Sequence, residues 1–270
     1  MSVAVEAEAK ELGFDAGRLR VIDRHFRGYV ERGQLPGWQI VVARDGRIVH
    51  SSVHGLRDPR SGAPVETDTL WRIYSMTKPI TSVAAMTLWE EGRFRLTDEI
   101  SRWLPAFADV RVYDKGSALK PYTTPAAEPI RIWHLLTHTA GLTYGFMNTS
   151  VVDRLYREAV PGLDAGLLDL ATACDRYAEL PLLFQPGAAW GYSVATDVLA
   201  RLVEVVAGED LDTVLQERVF EPLGMTGVRR WVDAAEAPRL ATLHVPDPVT
   251  GLAVPDDRAG ETALIPGLRG

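Results

Sequence analysis

Residues 1–270 read as an α+β protein, an antiparallel sheet flanked by helices with a mostly helical subdomain inserted. Three observations lead there. Near the start, two β-rich runs, 38–43 and 47–53, flank Asp45-Gly46, a dipeptide strongly favoured at two-residue hairpin turns. The middle of the chain holds four helical patterns joined by Pro/Gly loops: Ile130 to Thr137, Asp164 to Glu179, Ala195 to Ala207 and Leu211 to Val219. Strands therefore lie outside a helical block, without the regular strand-helix alternation of a parallel sheet.

In chain order, Asp15 is placed to cap a helix through Leu19, Ile22, Phe26 and Tyr29 to Gly33. The hairpin follows. Leu70 to Tyr74 reads as a short strand, and Val83, Met86, Thr87 and Glu90 fall at helical spacing until Gly92. Thr97 or Asp98 is expected to cap a short helix ended by Pro105, and the stretch from there to about Pro125 is loop-like. The tail from Trp231 is rich in Pro, Gly and Asp, with Leu240 to Val245 its one plausible strand. The expected division is 1–95 for helix, hairpin and following helix, 96–230 for the helical subdomain, and 231–270 for a loop-rich return segment. A lone hairpin is marginal and leaves open edges, so the sheet reads as incomplete.

Composition narrows the function classes. Hydrophobic residues make up 46% and charged residues 24%. With no apolar run long enough for a membrane span and a net charge of −7, the expected partner is a small molecule, not nucleic acid or a membrane. The acidic start, Met1 to Glu11, lacks a basic and apolar leader, and a lone Cys174 fits a reducing compartment, so a cytoplasmic location is expected. Cys174 sits in a helical pattern with acidic neighbours and reads as a packed thiol.

Ser75-Met76-Thr77-Lys78 carries the chemistry. On a helix, positions i and i+3 share a face, so Lys78 can reach the Ser75 oxygen. A partly desolvated lysine near a helix N-terminus loses preference for its charged form and could accept the serine proton. Spacing alone is weak evidence, because the same pattern recurs as Ser117-Ala118-Leu119-Lys120 in a Gly/Pro-bounded stretch that reads as a solvated loop. The same residues also fit a structural role, Ser75 as a helix cap followed by a surface lysine.

A second constellation, Pro186-Gly187-Ala188-Ala189-Trp190-Gly191-Tyr192-Ser193-Val194, delivers Tyr192 and Ser193 just before a helix. A phenol beside a lysine ammonium gains acidity and can shuttle a serine proton. Gly191-Tyr192-Ser193-Val194-Ala195 also approaches a Gly-x-Ser-x-Gly elbow, but no buried strand precedes it, so Ser193 is not read as a nucleophile.

Taken together with His134-Leu135-Leu136-Thr137-His138-Thr139-Ala140-Gly141-Leu142 and Phe220-Glu221-Pro222-Leu223-Gly224-Met225, these segments make most of residues 15–230 resemble the serine β-lactamase and penicillin-binding-protein superfamily. The resemblance is nearest to its class C-like branch and the family VIII carboxylesterases. It implies a β-lactamase-like fold, Ser75 as acylated nucleophile, Lys78 as its activator, Tyr192 as general base, and Trp190, Ser193 and Val194 near the substrate. Val194 stands where β-lactamases of this branch carry asparagine, which turns the expectation toward esters. The family's third motif, on a late strand that also donates to the oxyanion hole, is not found after Tyr192. The resemblance therefore implies a fragment of a longer enzyme or a diverged end.

The expected function is a serine carboxylesterase on small or short-chain esters. β-Lactam or D-amino-acid peptide hydrolysis is one alternative, and a non-catalytic or truncated member is the other. No cofactor and no metal are expected, and the oligomeric state is left open. His134 and His138 lack a third ligand and read as structural histidines. Trp71, Trp103, Trp133, Trp190 and Trp231 read mostly as core, and Glu90-Glu91 as a solvated helix end.

Overall fold

The computed structural model describes residues 3–160 and 168–256. The predicted helix start at Asp164 and the tail beyond 256 lie outside the described residues. The chain divides into two compact units, residues 1–72 with 231–270, and residues 73–230.

In the first unit, helix α1 (Ala16–Glu31) begins where Asp15 accepts a hydrogen bond from the Arg18 N–H at 3.0 Å. Strands β1 (Gly37–Arg44) and β2 (Arg47–Asp58) pair antiparallel across Asp45 and Gly46, both at positive φ, as a tight twisted hairpin turn requires. A two-residue strand β3 (Ala63–Pro64) adds to β2, giving the order β1-β2-β3. Leu12, Leu19 and Val49 form a small core with Ala7 and Ala9. Leu70 to Tyr74 is not a strand. Leu70 makes one parallel bridge to Leu240, and Tyr74 already belongs to a 3-10 turn.

In the second unit, helix α2 (Thr77–Glu90) buries Thr81, Ala84, Ala85 and Leu88, spaced by three and four. This is not the face expected from sequence, since Val83 is exposed. Small alanines let α2 pack closely on α6 (Ala195–Ala207), which buries Val198, Leu199, Leu202, Val203 and Val206 and ends at Gly208 with φ +79°. Three shorter helices have the expected positions but different lengths: α3 (Ile132–Leu136), α5 (Leu170–Ala178) and α7 (Leu211–Leu215), the last running into a π-turn.

Four expectations need correction here. Helix α4 (Val151–Ala159) was not foreseen; Ser150 and Asp153 cap it reciprocally. The stretch expected to be loop before Pro125 is a hairpin, β4 (Arg111–Ser117) with β5 (Lys120–Pro125), in which Ser117 and Lys120 are register partners. Neither Thr97 nor Asp98 caps a helix; Asp98 closes a turn by accepting from the Arg95 N–H, and only 3-10 turns follow. In the first unit, the strand expected over Leu240 to Val245 is the shorter β6 (His244–Pro246), overlapping it at 244–245, and it pairs with β7 (Ala253–Pro255), which is not expected from the sequence. Among the described residues the sheets have three, two and two strands, and no helix is long and apolar enough to cross a membrane.

Candidate active site

Ser75 sits in the 3-10 turn Tyr74–Met76 that feeds directly into α2. Tyr74 carries a φ of +43°, a conformation that side-chain-bearing residues rarely adopt and that costs on the order of 1–3 kcal/mol. The turn leaves Ser75 exposed at the head of the helix. One turn of chain later, Lys78 Nζ donates to Ser75 Oγ at 3.1 Å, and from 117 residues downstream the Tyr192 hydroxyl reaches the same oxygen at 2.5 Å. The lysine ammonium also lies 4.8 Å from the Tyr192 ring centroid and 5.6 Å from that of Tyr144.

Charge in this cluster is shared. Burial pushes the Tyr192 phenol upward, but hydrogen bonds to Lys78 and Ser75 and the Lys78 charge outweigh it and hold the phenol below the ordinary tyrosine value, against a weak opposing push from Asp197. Tyr144 goes the other way. Its burial, with Asp197 and Tyr192 nearby, raises its phenol so far that it stays protonated. Of two neighbouring tyrosines, only Tyr192 is tuned toward giving up its proton.

The Tyr192 turn is held from beneath by the segment 138–143. Four backbone bonds join them: Leu183 N–H to Gly141 O, Gly187 N–H to Thr139 O, Gly191 N–H to His138 O, and Val194 N–H to Thr143 O. The approach is close enough that a Cβ on Gly141 would stand 2.3 Å from the Phe184 carbonyl oxygen, and its φ of +85° is itself glycine territory. The segment is anchored at its far end by Asp153, fully buried, which accepts from Thr143 Oγ1 at 2.8 Å and from Thr149 and Ser150. Burial alone would raise its carboxyl; those donors hold it below its ordinary value.

Sequence reasoning assigned no site role to His138 and did not consider Tyr144. The His138 ring lies 5.0 Å from the Tyr192 ring, and Tyr144 lies 5.3 Å from it. The signal for Tyr144 was its position two residues past Leu142, just beyond the segment singled out as a motif. His134 is buried and serves the start of α3, where its Nδ1 accepts from the Arg131 N–H at 2.9 Å. Burial, then the Arg131 charge, lower its pKa and keep it neutral, with Glu128 weakly opposing.

The three residues expected near the substrate divide. Trp190 is 67% exposed beside Tyr192, so it is not core. Ser193 and Val194 face inward, at 1% and 0% exposure, Ser193 toward His138 and Val194 into the main core. Trp71 is also exposed, and its indole N–H donates to Gln39. Cys174 is buried, with Sγ 3.7 Å from the Asp197 carbonyl oxygen. Glu91 is exposed and bonded to Arg218. Among the described residues, no group of three or more His, Cys, Asp or Glu could hold a metal ion.

The first unit holds another serine among titratable groups. Ser52 donates to Asp23 Oδ1 at 2.7 Å, and His50 Nε2 faces the same oxygen at 2.8 Å. His50 Nε2 also lies 3.2 Å from Ser52 Oγ, so one ring nitrogen faces both serine and carboxylate; a relay needs the two opposite nitrogens, and the cluster instead ties α1 to β2.

A family model described as Beta-lactamase matches residues 22–267. Esterase EstB of Burkholderia gladioli is 36% identical over 226 residues, which is 82% of this chain and 54% of that protein. Lovastatin esterase of Penicillium rubens is 32% identical over 237 residues, 84% of this chain and 57% of that protein. The chain thus spans about half the length of these curated relatives. A solved structure described as EstCE1, a hydrolase with promiscuous acyltransferase activity, superposes with a TM-score of 0.74 at 27% identity, over 93% of this chain and 68% of that one.

Proposed function

The chain belongs to the Beta-lactamase family, and we propose that it works as a serine carboxylesterase on small or short-chain esters through an acyl-enzyme on Ser75. The observation that carries this reading is the convergence of Lys78 Nζ and the Tyr192 hydroxyl on one exposed serine oxygen. The Tyr192 hydroxyl lies 2.5 Å from Ser75 Oγ, and the Lys78 ammonium lowers the phenol, so the ionised Tyr192 oxygen is the group that takes the serine proton.

In the forward step, Ser75 Oγ bonds to the ester carbonyl carbon while its proton passes to the ionised Tyr192 oxygen, which the Lys78 ammonium stabilises. The tetrahedral oxygen takes the negative charge and is stabilised by backbone donors, the Ser75 N–H among them. Collapse breaks the carbon–oxygen bond to the alcohol, which leaves with the proton held by Tyr192. Water then attacks the acyl-Ser75 ester, gives its proton to the same Tyr192 oxygen, and releases the carboxylic acid as Ser75 is reprotonated. Every proton lent in the first half is returned in the second, so neither metal nor organic cofactor enters the balance.

The surroundings support an apolar acyl group. Tyr74, Met76, Phe146 and Trp190 are all more than half exposed. Tyr74 and Met76 flank Ser75, Phe146 stacks on Tyr144 at 4.7 Å, and Trp190 lies two residues from Tyr192. With Val194 turned into the core, no asparagine amide is offered at that position for a β-lactam side chain. Acyl transfer to an alcohol is a second reading, favoured by this open apolar rim and by the likeness to EstCE1, because an acyl-enzyme can be intercepted by any nucleophile that reaches it.

The test compares p-nitrophenyl butyrate with nitrocefin, each with and without an added primary alcohol. Ester cleavage with little nitrocefin turnover is expected. Faster nitrocefin turnover would replace this reading with a β-lactamase. A rate that rises with alcohol, with a new ester formed, would assign acyl transfer.

A further inference from the structure

We infer that His138 is a positioning residue for Tyr192, clamping the turn 190–193 from inside so that the phenol is held against Ser75 and Lys78. The inference rests on the reading of Tyr192 as the base, and its evidence is a set of contacts from one residue to three successive positions of that turn. The His138 carbonyl accepts from the Gly191 N–H at 2.9 Å. Its ring lies 5.0 Å from the Tyr192 ring at an interplanar angle of 44°. Its Nδ1 faces Ser193 Oγ at 3.3 Å, and Ser193 Oγ in turn accepts from the Ala195 N–H at the start of α6. Main chain, ring face and ring nitrogen thus bear on residues 191, 192 and 193 in order.

The backbone at His138 supports the same conclusion. Its φ of +56° lies in the left-handed region, which glycine enters freely and other residues enter only at a cost. The chain reaches that conformation with a histidine, and the left-handed bend is what turns carbonyl and ring together toward the Tyr192 turn. A strained residue persists where surrounding contacts over-determine it.

The charged and titratable neighbours from each packed element are Lys78 on α2, Tyr192 and Ser193 in the turn, Tyr144 beyond the segment, and Asp197 on α6, which acts on both phenols. Burial, and then the Lys78 charge, lower the His138 pKa below the ordinary histidine value, so the imidazole is neutral where Tyr192 must work. A neutral ring leaves Lys78 as the cation that draws the phenol down. Protonation at acid pH would put a second cation beside Lys78 and replace the Nδ1 lone pair with a donor.

The test reads the placement of Tyr192 directly, without turnover. The ionisation of the Tyr192 phenol is followed by ultraviolet difference titration, subtracting Tyr192→Phe in each background. In the unaltered chain the midpoint is expected below the ordinary tyrosine value of about 10. His138→Ala should move it up toward that value as the phenol drifts from Lys78. His138→Asn, whose amide reaches the place of Nδ1, should keep most of the lowered midpoint. Ser193→Ala, which removes only the hydroxyl facing Nδ1, should raise it by a smaller amount, and it stands in should His138→Ala not fold. A midpoint unchanged in both His138→Ala and Ser193→Ala overturns the inference, and so does one that rises as far in His138→Asn as in His138→Ala. Failure of the unaltered chain to react with an ester analogue would instead count against the proposed function and leave this titration readable.

Discussion

Ser75-Met76-Thr77-Lys78 and Ser117-Ala118-Leu119-Lys120 have one spacing and lie in one unit, yet the chain uses them in opposite ways. The first stands at a helix start, where i and i+3 share a face and the ammonium reaches the serine oxygen at 3.1 Å. The second closes the β4–β5 hairpin, where Ser117 and Lys120 are register partners, and Lys120 Nζ lies 5.5 Å over the Tyr122 ring. The first pair also has a third member, since Tyr192 arrives on a turn braced by residues 138–143. The difference teaches that the motif is a statement about backbone shape and a distant partner, and only secondarily about letters.

Substitutions sharpen that comparison in order of size. Lys78→Met should slow reaction of Ser75 with a p-nitrophenyl phosphonate by about 10⁴-fold, near the top of the usual range for a proton-transfer group, because it removes a donor and the charge that lowers Tyr192 together. Tyr192→Phe removes the phenol alone and should cost nearer to 10²-fold. In the unaltered chain the labelling rate should climb with pH through the lowered Tyr192 midpoint, and Tyr192→Phe should flatten that climb. A rate independent of Tyr192 at every pH would break the distinction between the two pairs.

A structural effect comes next. Asp153 holds the far end of the bracing segment with a carboxylate that accepts several donors, so Asp153→Asn should lower unfolding free energy by about 3 kcal/mol in urea at neutral pH. Its folded-state pKa is depressed, so its contribution is present above the unfolded carboxylate value of about 4 and is lost as pH falls through the lower folded value. The gap between the two proteins should therefore narrow in acid. Smallest of all, Ser117→Ala and Lys120→Met should leave labelling unchanged and stability within about 0.5 kcal/mol.

Much of this was legible in the residues, and the failures have physical reasons. Asp15, Asp45-Gly46 and Gly208 mark α1, the first hairpin and the end of α6 because each supplies a cap or a positive φ that few residues can. The β4–β5 hairpin was not legible because its turn residues, Ala118 and Leu119, carry no turn preference; Gly116, at φ +108° and against the Lys120 carbonyl, permits the close pairing instead. Helix α4 did announce itself through Ser150 and Asp153, with aspartate standing in for the usual glutamate of a capping box. The α2 face was misread because alanines, not the larger apolar residues, meet α6. At the site, Ser75, Lys78 and Tyr192 could be named from sequence, whereas the inward turn of Ser193 and Val194 and the approach of His138 depend on tertiary backbone contacts that no local pattern encodes.

The central claim is that geometry singles out one serine among several with polar neighbours. The direct measurement is peptide mapping by mass spectrometry after exposure of the chain to a p-nitrophenyl phosphonate. A single adduct on the peptide carrying Ser75, absent in Ser75→Ala, is the predicted result. Modification at Ser117, Ser52 or Ser193, or a folded chain that takes up no phosphonate, would contradict it.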